Sequence, residues 1–96
     1  MKLNAITPIS ITEKALTEIN KALSIKGIPE GYFLRVGLKG SACSASYIIG
    51  FDKKEDNDET YQLHNIDLII NKHHLMYLLG VELDFDEEGN GFTFNK

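Results

Sequence analysis

Gly31-Tyr-Phe-Leu-Arg-Val-Gly-Leu-Lys-Gly-Ser-Ala-Cys-Ser-Ala-Ser-Tyr-Ile-Ile-Gly-Phe51 reads as two strands joined by a run of small residues. Leu34, Val36 and Leu38 fall on one face of the first arm, and Phe33, Arg35 and Lys39 on the other. Alternation over that length predicts a half-buried strand. The second arm places Tyr47, Ile49 and Phe51 together on one face. Between the arms, Gly40-Ser-Ala-Cys-Ser-Ala-Ser46 carries no side chain larger than a thiol, and it holds the sequence's single cysteine, Cys43. Small residues let a backbone approach a ligand or another chain closely. If the protein does chemistry, this connection is the place for it.

Outward from the hairpin, the N-terminal side predicts a helix over 11–26. Ser10 and Glu13 have capping-box spacing. Ile11, Ala15, Ile19, Ala22 and Leu23 follow at steps of three and four, with Leu16 beside them. That is one apolar stripe against a core. Gly27 suits the helix end, and Pro29 bars continuation. Residues 1–9 read as an extended lead-in.

On the C-terminal side, Asp52 to Glu59 reads as a solvated connection. Its acidic cluster lacks a calcium-loop pattern. Thr60–His64 and Ile66–Ile70 read as strands turning at His64-Asn65. Asn71 is the expected cap of a short helix over 72–79, which Gly80 closes. Val81-Glu-Leu-Asp-Phe85 alternates strictly, and Phe92–Phe94 gives a last short strand. One long helix, one short helix and about six strands argue an α+β fold with a mixed or mostly antiparallel sheet.

The 96 residues predict one domain over 1–96. A chain of this length buries roughly two-thirds of its unfolded surface. The net charge of −4 offers no basic field for nucleic acid or an anionic membrane. No apolar run approaches a membrane span, and the first residues lack the apolar core of a signal peptide. A lone cysteine makes no internal disulfide, which suits a reducing cytoplasm.

The order of elements and several short words resemble the A-type iron–sulfur carriers, the HesB/IscA/SufA-like family. The words are Ile6-Thr7 before the helix, Leu34-Arg35-Val36, the Cys43-Ser44 connection followed by Tyr47, Leu83-Asp84-Phe85 and Gly91-Phe92-Thr93-Phe94-Asn95. The resemblance spans about residues 4 to 95. It implies a β-rich HesB-like fold, usually dimeric or tetrameric. It also implies a role in holding iron or an iron–sulfur cluster and passing it to apo-proteins or assembly proteins. Two departures stand out. Where the family reads Gly-Cys-Ser-Gly, this sequence reads Ala42-Cys43-Ser44-Ala45, with one residue fewer before the tyrosine. The family's other two ligands lie in a Cys-Gly-Cys tail that would begin near Lys96, so Cys43 alone carries over.

Clusters ordinarily take four thiolates, with histidine an occasional substitute. A dimer supplies two Cys43 thiolates, which Arg35 or Lys39 would favour as anions. The competing reading of Cys43 is a small apolar residue tucked under the hairpin. His73 and His74 are the other candidate metal ligands. Adjacent helical residues point about 100° apart and do not easily share one ion. His64 ranks below both. No nucleophilic triad, paired catalytic acids or phosphate loop is present, so an enzyme is not expected. Two functions stay open. One is a carrier that binds iron or a labile cluster through Cys43. The other is an interaction module of the same fold that has no cofactor and acts through protein contacts.

Overall fold

The structure, a computed structural model, describes residues 7–40 and 46–96, the side chain of Lys26 excepted. In chain order the described elements are β1 (Ile9–Ile11), α1 (Glu13–Lys26), β2 (Tyr32–Lys39), β3 (Ser46–Lys53), β4 (Asp58–Leu63), β5 (Ile66–Asn71), a 3-10 turn (Lys72–His74), α2 (Leu75–Leu78), β6 (Val81–Asp86) and β7 (Gly91–Asn95). They form an α+β fold with two mixed sheets. The larger has the order β3-β2-β5-β4, the smaller β1-β6-β7.

The expected hairpin is present, and its register fixes the faces. Leu34 pairs with Phe51, Val36 with Ile49 and Leu38 with Tyr47. Leu34 and Val36 are buried, and Leu68 and Ile70 of β5 join them in the core. Strands β2 and β5 run parallel, but their register covers only Leu34–Leu68 and Arg35–Ile69. Strands β4 and β5 meet at His64-Asn65, whose φ values of 52° and 67° are both left-handed. A two-residue hairpin turn of this kind matches the twist of its strands. Helix α1 lays Ala15 and Ile19 into the same core, which Val81, Leu83 and Phe85 of β6 complete.

The helix begins later than the sequence suggests. Ser10 does not cap it. Ser10 is the exposed middle residue of β1, while Ile9 and Ile11 point inward. That strand runs parallel to β6, pairing Ile9 with Val81 and Ile11 with Leu83. With this pairing the described residues hold seven strands, against the expected six or so. Buried pairing with a strand 72 residues away outweighs a local capping box at Ser10. Ile11 is buried as the stripe requires, but from a strand.

The actual cap is Thr12, whose Oγ1 accepts from the Ala15 N–H at 3.2 Å. The same hydroxyl donates to Asp84 Oδ1 at 2.6 Å. That contact, with the Phe85 N–H, holds the Asp84 carboxyl below its usual range. A cap of this type contributes about 1 kcal/mol. Thr12→Ala should lower the denaturation free energy by about that amount, and Thr12→Ser should retain most of it. A Thr12→Ala protein with an unchanged denaturant midpoint would remove Thr12 as the cap. At the other end Gly27, with φ 58°, closes the helix as expected. The expected short helix at 72–79 divides into the 3-10 turn and α2, with Asn71 accepting from the His73 N–H at 2.8 Å.

The acidic segment is also more than a solvated connection. Asp58 is buried. Its carboxylate accepts from Arg35 Nη1 at 2.8 Å and Nη2 at 2.6 Å, and from the Glu55 N–H at 2.8 Å. Asp52 takes Arg35 Nε at 2.8 Å, and the Lys53 carbonyl takes Nη2 at 3.2 Å. One arginine in the middle of β2 therefore pins both ends of the β3–β4 connection. The fork geometry of guanidinium against carboxylate favours this bidentate arrangement.

Candidate functional site

The best candidate is the connection between β2 and β3. Cys43 itself, with residues 41–45, lies outside the described residues. Its two anchors are described. Lys39 pairs with Ser46, so residues 40–45 leave and return on one rung of the ladder. The adjacent rung is Leu38–Tyr47. Tyr47 stacks on Phe94 of β7, with ring centroids 4.9 Å apart and 17° between planes. Offset-stacked rings at this separation attract each other beyond their buried area. The stack lays the base of the cysteine connection beside the final residues of β7 and joins the two sheets.

The electrostatic surroundings differ from the expectation. Arg35 is not free to favour a Cys43 thiolate, because its guanidinium is held by Asp52, Asp58 and the Lys53 carbonyl. The carboxylates in turn push the arginine pKa up, Asp58 foremost. Lys39, the last residue of β2, is exposed.

The two adjacent histidines have different settings. His73 is exposed in the 3-10 turn. His74 is half-buried, and its Nδ1 accepts from the Leu38 N–H at 3.3 Å. In a neutral ring the proton then sits on Nε2. Gly37 makes room for this imidazole: a Cβ there would stand 3.1 Å from His74 Nδ1. No local pattern signals this contact, since Leu38 and His74 are 36 residues apart. His64 sits at the β4–β5 turn and is exposed. Among the described residues, no group of three or more His, Cys, Asp or Glu is placed to hold a metal ion. No described helix is long and apolar enough to cross a membrane.

A family model described as iron–sulphur cluster biosynthesis matches residues 7–96. The chain is 38% identical over 91 residues to the iron-binding protein IscA of Proteus mirabilis, covering 91% of this chain and 83% of that protein. Its fold superposes on a crystal structure of Escherichia coli SufA, a protein involved in biosynthesis of iron–sulfur clusters. The TM-score is 0.75 at 21% identity, over 95% of this chain and 82% of that one. A crystal structure of IscA with a [2Fe-2S] cluster matches with a TM-score of 0.61 at 20% identity, over 92% and 84% of the two chains. The chain belongs to the iron–sulphur cluster biosynthesis family.

Proposed function

We propose that this protein is a carrier in iron–sulfur cluster assembly that takes iron or a labile cluster on Cys43 and passes it to apo-proteins or assembly proteins. The observation that supports this most is the placement of the Cys43 connection. It springs from a single paired rung, and the Tyr47–Phe94 stack sets its base beside the end of β7. The resemblance puts the family's remaining thiolates just beyond that strand. The relative in Proteus mirabilis is iron-binding, which fits the same reading.

A single thiol per chain supplies one ligand, so a homodimer supplies two. The positions left over are open to exchangeable thiols or to the exposed His73, since the Leu38 N–H takes the acceptor nitrogen of His74. Thiolate is a soft ligand for iron, and serine is a far poorer one. Incomplete protein coordination makes the cargo easy to release, which suits transfer rather than storage. The protein performs no catalysis on this reading, and it works in the cytoplasm, where the thiol stays reduced.

Anaerobic reconstitution with iron and sulfide tests the proposal. Wild-type protein should develop substoichiometric visible absorption that a chelator removes, and Cys43→Ser should develop none while remaining folded. Equal uptake by both proteins would remove Cys43 as the ligand. No uptake by either would leave the interaction module as the better description.

A further inference from the structure

We propose that His74 is a positioning residue: its Nδ1, as a hydrogen-bond acceptor, secures the end of β2 from which the Cys43 connection departs. The argument starts from the sheet. Strand β2 is central, yet its register with β5 covers only Leu34 and Arg35. Strand β5 ends at Asn71, and the chain then folds into the 3-10 turn. Two residues past Ile69 β5 is finished, so by Leu38 that edge of β2 has no neighbouring strand while its backbone still needs partners. A buried or half-buried N–H without an acceptor costs free energy comparable to a lost hydrogen bond. The Leu38 N–H finds its acceptor in the His74 imidazole at 3.3 Å.

Gly37 is the second half of the device. It is buried, its φ is ordinary, and what it supplies is space. A Cβ at 37 would press on His74 Nδ1 at 3.1 Å and on Cε1 at 3.7 Å. His74 in turn is held by the 3-10 turn that Asn71 caps and by the following helix, in which Leu78 is fully buried. The imidazole therefore links a core-anchored segment to the strand end, one residue before Lys39. The rung Lys39–Ser46 that bounds the cysteine connection comes next along the chain. That Cys43 is the working thiol rests on the function proposed above; the role of His74 at the strand end does not.

Two substitutions separate acceptor from bulk. His74→Asn keeps an oxygen acceptor near the Nδ1 position, and His74→Phe keeps a ring without one. In metal-free protein, nitrogen-15 shifts should show that the neutral form of the His74 ring carries its proton on Nε2. Amide exchange at Leu38 should quicken about tenfold in His74→Phe, the factor set by the net worth of one hydrogen bond. It should stay near wild type in His74→Asn. Native-state modification of Cys43 by a thiol reagent should change in His74→Phe and be restored in His74→Asn. Unchanged Leu38 exchange in a folded His74→Phe protein would overturn the proposal, as would equal loss in both variants. If His74→Phe does not fold, Gly37→Ala decides: Leu38 exchange must quicken as the ring is pushed back, and no change overturns the role. Because these readouts need no iron, failure of cluster uptake leaves them able to judge His74 alone.

Discussion

Replacing Asp58 by Ala should lower the unfolding free energy by about 3 kcal/mol, the cost of removing the buried carboxylate of an ion pair. The Arg35 guanidinium would keep Asp52 and the Lys53 carbonyl but lose both of its contacts to Asp58. The Glu55 N–H would lose its acceptor as well. Replacing both Arg35 and Asp58 by apolar residues of similar size should recover much of the loss, since no uncompensated charge remains. Urea denaturation of the two single variants and the double variant measures the coupling directly. A strictly additive double variant would show that the pair does not act as a pair. The same site carries an acid dependence. The Arg35 guanidinium holds the Asp58 carboxyl below its ordinary value of 3.8. A carboxyl depressed in the folded state adds stability that is fully present above its unfolded value. That stability is lost as the pH falls below 3.8 through the lower folded-state value. Wild type should therefore lose stability in that acid window more steeply than the Asp58→Ala protein.

Ile19→Ala should cost about 3 kcal/mol, within the range for truncating a fully buried branched side chain. Ile19 is 1% exposed and belongs to the core cluster that also holds residues of both sheets. The lost methyl and methylene groups leave a cavity that the surrounding strands cannot close without breaking their register. Ile19→Val should cost only about 1 kcal/mol. A denaturant midpoint that does not move in Ile19→Ala would contradict the packing of α1 on the sheets.

What could be read from the sequence, and what could not, follows the range of each interaction. The stripe of Ala15 and Ile19, the alternation of Val81, Leu83 and Phe85, and the turn at His64-Asn65 are local patterns. Each appears where the pattern places it. Strand β1 is not legible because three residues carry too little periodicity, and Ser10 with Glu13 satisfies a capping pattern although Thr12 is the cap. Asp58 looked like one carboxylate in a solvated run, because its partner Arg35 lies 23 residues earlier. The candidate site divides the same way. The hairpin that carries Cys43 was legible from alternation and small residues. The engagement of Arg35 by carboxylates and of His74 by Leu38 was not, because both depend on which strands become neighbours.

The pairing of β1 with β6 has a consequence for how the chain is made. Strands β2 to β5, the whole of the larger sheet, are complete in sequence once residue 71 has been added. The contact between Thr12 and Asp84 spans 72 residues, which takes about 4–14 s at ordinary rates of protein synthesis. During that interval Ile9 and Ile11 have no strand to join, and the start of α1 lacks its carboxylate partner. Strand β1 is the first of the described strands to be made, yet it can pair only after β6 has been added.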